Sequence, residues 1–358
     1  MIFLRQSLLM VSICGFSLLL MAAAPISSPH LDRNMLPYGC GTCHVGFNFG
    51  EGGGSEYCLN CHGDLSRVPQ GFVVSTSKRA DVEGEYKKPY RHPTFDVKNV
   101  HARGEKLPET DPKAPRHAEC VDCHNPHYVS PQNKFAGIVG KKVGNLVVNI
   151  TKESELCYRC HAESANLPGR YSNKRAEFSL NNPSYHPVEG EGRNTAVISL
   201  VKPYKEKKVN AGDISTLTCG DCHGSENPQS PQGPHGSQYE YILVDNYSTK
   251  DNQAETPFAY ALCYRCHDRS SILGNESFRY HALHIQGRGG ASGATGTSCY
   301  TCHNSHGSTD NKYLLTFNKS VVSPNSQGQL KFVEKGISTF RGECYLSCHG
   351  VDHNPKVY

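Results

Sequence analysis

The cysteines of this chain follow one strict pattern. Sixteen of the 17 cysteines fall into eight close pairs, and a histidine follows the second cysteine of every pair. Seven pairs read CxxCH, whereas the last has one more residue and reads CYLSCH. The sites are Cys40/Cys43/His44, Cys58/Cys61/His62, Cys120/Cys123/His124, Cys157/Cys160/His161, Cys219/Cys222/His223, Cys263/Cys266/His267, Cys299/Cys302/His303 and Cys344/Cys348/His349. Whatever fold the chain adopts must use these sites.

Covalent haem attachment is the chemistry that uses all three positions of this pattern. Structural zinc needs two ligand clusters per metal and no histidine directly after each cluster. A disulfide framework gives no reason for the invariable histidine, and a thioredoxin-like site needs one CxxC on a βαβ unit. In a helical turn, residues i, i+3 and i+4 lie on one face, so two thiols can join the haem vinyl groups while the histidine reaches the iron. The sequence therefore predicts eight covalent haem c groups.

The last site departs from the other seven. One extra residue separates Cys344 from Cys348. We expect this residue to be absorbed as a bulge in a short helical turn, which leaves His349 beside the iron.

The composition predicts that something other than side chains fills the interior of the protein. Only 37% of residues are hydrophobic, Trp is absent, and the chain has 34 Gly and 21 Pro. Such a chain has difficulty building large apolar cores, which argues against an ordinary α/β enzyme and a polytopic membrane protein. The net charge of +4, without a dense basic block, does not indicate nucleic-acid binding. The predicted fold is mostly irregular and loop-rich, with short α-helices and a few short β-hairpin strands around a chain of haems.

Residues 1–24 have the layout of a secretory signal peptide. Arg5 is followed by an uncharged apolar run from Leu8 to Ala24, which ends in small residues. The same run leaves open an uncleaved single-span anchor, which would be the only membrane contact of the chain. We expect the protein to be exported, to the periplasm or to the outer cell surface.

Histidine is predicted on the second side of each iron as well. Of the four Met, only Met35 lies beyond the signal segment, whereas eleven His lie outside the attachment sites. These are His30, His92, His101, His117, His127, His186, His235, His281, His284, His306 and His353. Every haem can therefore have two His ligands, and the loss of Met as a ligand favours low reduction potentials.

The chain repeats, which divides it into four predicted dihaem modules. They span residues 25–84, 85–172, 173–272 and 273–358, and the first is truncated. Each of the last three has an upstream histidine, a CxxCH site with a close downstream histidine and serine, a β-prone stretch and a second cysteine pair. The β-prone stretches, residues 146–150, 239–244 and 330–335, are predicted strands.

The repeated unit CxxCHxPHxS…LCxxCH resembles the doubled-CXXCH family of multihaem c-type cytochromes, which is typical of metal-reducing and other anaerobically respiring bacteria. The first-site strings are CVDCHNPHYVS (120–130), CGDCHGSENPQSPQGPHGS (219–237) and CYTCHNSHGS (299–308). The resemblance implies irregular backbone, closely stacked haems and bis-His ligation. It implies that the downstream histidines, His127, His235 and His306, ligate haems of their own pairs, with His92, His186 and His281 as the upstream ligands.

Two irons of the first module need further ligands. His30 and His101 are our candidates, while His117, His284 and His353 compete with them. His281 and His284 are three residues apart, so they could face one way on a helical turn and serve two haems.

These features favour an electron carrier without catalytic residues. It would pass electrons between redox partner proteins or to extracellular acceptors, as in anaerobic respiration and metal reduction. One alternative is an octahaem reductase or oxidase of nitrogen or sulfur compounds, for which the irregular His349 site is the only candidate for an open iron. Another is a polymeric wire, in which His30 or His353 completes a haem of a neighbouring copy.

Overall fold

The structure is a computed structural model. It describes residues 28–44, 54–72, 79–96, 115–141, 147–163, 171–287, 295–336 and 339–358, except residues 34, 37, 69, 71 and 195, and the single residues 107, 109, 111, 113 and 167. The predicted signal segment 1–24 and the candidate ligand His101 lie outside the described residues. Across the described ranges, no helix has the length and apolar character needed to cross a bilayer.

Short elements joined by irregular backbone make up the fold. The α-helices are α1 (Ser55–His62), α2 (Glu83–Tyr86), α3 (Cys120–Cys123), α4 (Glu153–His161), α5 (Lys174–Glu177), α6 (Ala261–Tyr264), α7 (Arg269–Leu273) and α8 (His281–Gln286). The strands are β1 (Tyr90–Arg91), β2 (Val139–Lys141), β3 (Val147–Asn149), β4 (Ser184–Tyr185), β5 (Gly236–Ser237), β6 (Gly307–Ser308), β7 (Val322–Ser323), β8 (Lys331–Glu334), β9 (Gly342–Cys348) and β10 (Val351–Val357). The predicted loop-rich fold with short helices and small sheets is confirmed.

Apolar side chains fill little of the interior. Of the described residues, 14 hydrophobic side chains are buried, compared with 19 polar or charged ones. The larger apolar cluster surrounds Tyr260 and Leu243, and a smaller one joins Tyr158, Ala162 and Phe178. Neither cluster could organise a chain of 358 residues, so the fold depends on other contacts.

Two-residue antiparallel sheets connect chain segments that are far apart in sequence. Strand β1 pairs with β5, with Arg91 opposite Gly236, and β4 pairs with β6, with Tyr185 opposite Gly307. In each sheet, one strand directly precedes an upstream histidine. The other strand directly follows the downstream histidine of the next predicted module. Strands β2 and β3 form a local hairpin, and β7, β8 and β10 pair with β9 at the C-terminus.

One of the three predicted strands is absent. Residues 147–149 and 331–334 are strands β3 and β8, but Glu240–Ile242 forms a 3-10 turn, with φ of 62° at Tyr241 and 56° at Ile242. The left-handed backbone turns the carbonyl of Tyr241 toward His223, whose Nδ1 donates to it at 2.9 Å. A continuous strand could not make this turn, so the histidine contact overrides the local β propensity.

We predict that Gly307→Ala destabilises the protein, because the chain passes this glycine too closely for a side chain. A Cβ at Gly307 would lie 2.0 Å from the carbonyl oxygen of Glu177. The control is Gly192→Ala, where a Cβ would meet nothing within 4 Å. We expect a loss of about 1–3 kcal/mol for the first variant and little change for the second, measured by thermal unfolding of the haem-loaded protein. Equal stability of the two variants would contradict the close approach.

Candidate haem-binding sites

Seven of the eight cysteine pairs lie on helical turns, as predicted. Two lie in α1 and α4, and five turns are closed by a bond from the histidine N–H to the carbonyl of the first cysteine, at 2.8–3.0 Å. Those five histidines are His44, His124, His223, His267 and His303. The bond fixes the histidine above its two cysteines, which is the arrangement that covalent haem attachment requires.

The thiols are chemically available for attachment. The 16 cysteines of the described residues carry thiols rather than disulfides, and each is partly or fully exposed. Cysteines are normally among the most buried residues, so partial exposure of every one indicates that they line surfaces which a further group covers. Sixteen thiols on a shared motif provide two thioether positions per site.

Sixteen histidines of the described residues form eight facing pairs. Their ring centres are 6.0–6.5 Å apart. The pairs are His30–His62, His44–His127, His92–His161, His124–His235, His186–His267, His223–His306, His281–His303 and His284–His353. This distance is too long for direct ring stacking and recurs with little variation, which indicates a common group between the rings.

An iron bound on both sides fits the spacing. Imidazole–metal bonds are about 2.0–2.1 Å long, so two imidazoles on opposite sides of one metal have ring centres about 6 Å apart. Seven of the eight pairs contain one attachment-site histidine. The residues present therefore fit haem groups with two axial histidines.

The upstream histidines face the second site of their own module. His92 faces His161 and His186 faces His267, each at 6.4 Å. His30 occupies the same position in the truncated first module, where it faces His62.

The downstream histidines cross to the preceding module, which differs from the expectation that they serve their own pair. His127 faces His44, and the other two face His124 and His223 in the same way. For His127 and His306 a reason is steric, because each follows the attachment histidine of its own first site by only three residues, too few to reach the far side of a haem held there. The predicted modules therefore interlock.

The last module has a different arrangement. His281 faces the first-site histidine His303, and His284, one turn of α8 later, faces His353. His349 has no facing imidazole among the described residues. Its Nε2 lies 3.0 Å from a carboxylate oxygen of Asp251.

His117 belongs to none of the eight pairs. Its Nδ1 lies 2.7 Å from the Glu109 carboxylate, and its side chain is largely buried.

Backbone carbonyls orient many of these rings. Seven paired histidines direct Nδ1 to a carbonyl oxygen, which leaves Nε2 as the ligand atom and fixes the plane of the ring. The bonds run from His62 to Ala80 (2.8 Å), His92 to Pro234 (2.7 Å), His124 to Lys134 (3.2 Å), His223 to Tyr241 (2.9 Å), His284 to Tyr280 (2.8 Å), His303 to Tyr313 (2.8 Å) and His186 to Ser305. No motif in the sequence reveals these acceptors, because most are distant along the chain.

Two of these bonds join consecutive modules. The acceptors Pro234 and Ser305 directly precede downstream histidines, and the sheets β1–β5 and β4–β6 flank the same contacts. Each sheet, with its carbonyl contact, therefore positions two histidines that face different partner histidines.

A carboxylate orients the ring of His306. Oε2 of Glu177 lies 3.2 Å from Nδ1 of His306, and Lys174 donates to the same oxygen at 2.9 Å. Burial alone would raise the pKa of Glu177, but the hydrogen bond from His306 and the positive charge of Lys174 lower it to about 2. Glu177 is therefore ionised at neutral pH, and a hydrogen bond to its carboxylate makes the imidazole a stronger electron donor.

The cysteine pairs follow one another in space in their order along the chain. The thiols of Cys58 and Cys120, of Cys157 and Cys219, and of Cys263 and Cys299 lie close enough to interact. Between these contacts, Cys43 lies near Cys61, Cys123 near Cys160, Cys222 near Cys266, and Cys302 near both Cys344 and Cys348. These contacts connect the eight sites in the order of the sequence.

Two family models match the chain. Residues 144–314 match the model for outer membrane cytochrome MtrC/MtrF-like, domains II/IV, and residues 114–166 match the doubled CXXCH motif. Searches of curated proteins and of solved structures found no match. The chain is a multihaem c-type cytochrome, an electron-transfer protein that binds haem c covalently.

We predict that Glu177→Gln raises the reduction potential of one haem, because a neutral amide donates less electron density through His306 than a carboxylate does. A tenfold change in a one-electron equilibrium is about 59 mV, so we expect a shift of tens of millivolts in one component of a potentiometric titration. Glu191→Gln is the matched control, since Glu191 pairs with Lys207 on the surface. A titration curve that moves equally in both variants would contradict a role for the His306 contact.

Proposed function

We propose that this cytochrome carries eight haem c groups in single file and moves electrons along them. The eight facing histidine pairs, each at the spacing that suits one iron, are the observation that carries this proposal. The family matches support multihaem electron transfer, and the geometry supports the proposed number and order.

Seven haems would have an attachment-site histidine on one side and a distal histidine on the other. The attachment-site ligands are His44, His62, His124, His161, His223, His267 and His303. Their distal partners are, in the same order, His127, His30, His235, His92, His306, His186 and His281. His101 has no part in the proposal, since the pairs already use one histidine on each side of all seven sites.

The attachment thiols set the order of the haems. Because neighbouring sites along the chain are neighbours in space, the chain holds each group against the one before and the one after it. Bound haem irons supply reversible one-electron transfer. The protein contributes fixed spacing and low potentials, through two histidines per iron and no methionine.

The same geometry favours a carrier over an octahaem reductase or oxidase. A reductase needs one iron with an open position for substrate. Each histidine pair fills both sides of its site, which supports conduction rather than chemistry at the iron.

The setting is also part of the proposal. An N-terminal segment with the layout of a signal peptide, and a match to a family named for outer membrane cytochromes, support export to the periplasm or the outer surface. Redox proteins or extracellular acceptors would exchange electrons with the terminal sites.

Polymerisation through shared ligands is not included in the proposal. His30 faces His62, and His353 faces His284, so both terminal histidines have partners in their own chain.

The purified ferric protein tests the proposal. We predict eight haems per chain by mass spectrometry and only low-spin ferric signals in the low-temperature EPR spectrum, because both axial positions of every iron are occupied. A stoichiometric high-spin signal that shifts when nitrite or hydroxylamine is added would identify an open iron and favour the reductase.

A further inference from the structure

The last cysteine pair lies on a β-strand instead of the helical turn that we expected from the sequence. Cys344 and Cys348 belong to β9, which pairs with β10, β7 and β8. In a strand, side chains alternate between the two faces, so residues four apart share a face and residues three apart do not. The extra residue of CYLSCH therefore keeps both thiols on one face of the sheet, where a CxxC spacing would separate them.

His349 occupies the turn between β9 and β10. Cys348 and Val351 are paired across this turn, and the two residues between them, His349 and Gly350, have φ of 51° and 74°. Two positive φ values in a two-residue hairpin define a type I′ turn. The His349 side chain is 44% exposed at the tip, with Nε2 3.0 Å from Asp251.

His353 lies on the same face as the two thiols. It is directly opposite Leu346 in the β9–β10 register, and Leu346 shares its face with Cys344 and Cys348. Its ring centre is 6.4 Å from that of His284, which is within the range of the other seven pairs. Nδ1 of His284 donates to the Tyr280 carbonyl at 2.8 Å, so its Nε2 is directed outward as a ligand atom.

We propose that the last haem is attached through Cys344 and Cys348 but ligated by His353 and His284, while His349 serves as a turn residue. The site thus replaces the adjacent histidine of a CxxCH turn with one from the opposing strand. The inference rests on the proposed function, because it assumes a haem at the eighth site. Attachment adds each S–H across a vinyl C=C, so a carbon–sulfur and a carbon–hydrogen bond form without a leaving group or an oxidant.

The arrangement of the last module gives α8 two histidines with separate partners. In the earlier modules, the next module supplies a downstream histidine to the first site. In the last module, His281 of α8 takes that role opposite His303. The last haem then needs a further histidine from the same helix, and His284 lies one turn later.

Two substitutions distinguish His353 from His349. His353→Met should convert one of eight haems to His–Met ligation, which raises the potential of that haem and gives the optical and magnetic circular dichroism signature of a Met–iron bond. His349→Asn should leave eight low-spin bis-His haems, because Asn followed by Gly is favoured in a type I′ turn. His92→Met provides a positive control, since His92 faces His161 in a regular site.

Haem content, EPR and potentiometry are measured on wild type and on all three variants. The inference is overturned if His353→Met keeps a wild-type spectrum while His92→Met changes, or if His349→Asn loses a haem or gains a high-spin signal. A wild-type protein that itself lacks eight low-spin haems would instead refute the proposed function. The two failures are therefore distinguishable.

Discussion

The structure depends on pairs of imidazole rings that face each other at the spacing that suits one iron between them. Each pair joins two distant points of the chain, for example His44 with His127 and His124 with His235. In the proposed arrangement, an iron bound on both sides would be a cross-link, and every downstream histidine would place that cross-link between consecutive modules. This interlocking explains how a chain with few buried hydrophobic side chains can hold a defined fold, and why its helices and strands are so short.

The polar interior serves the same purpose. Ring orientation depends on carbonyls such as those of Pro234 and Tyr241, and these are held by turns, glycines and two-residue sheets. The Gly–Ser pair that follows a downstream histidine contributes to this scaffold in two ways. Gly307 allows close approach of the backbone, and Ser308 Oγ donates to the Leu315 carbonyl at 2.7 Å. Much of the irregular backbone is therefore a scaffold for ligand geometry.

The sequence predicts the local part of each site but not its partner. A CxxCH turn is decided within five residues, so the first seven sites could be located from spacing alone. The partner of His127 depends on which modules lie side by side, which is a tertiary property. The sequence does not predict the strand at 342–348, because its cysteine–histidine motif resembles the helical ones. The sequence signal for a hairpin is the His–Gly pair at 349–350. It follows two cysteines that are four residues apart and precedes a further histidine.

The most direct test of this account is the position of each iron in crystals of the haem-loaded protein, located by anomalous scattering. The account predicts eight irons in one unbranched file, in the order of the attachment sites, each midway between the two imidazoles of its pair. Fewer irons, a branched order, or an iron with one face open to solvent would contradict it.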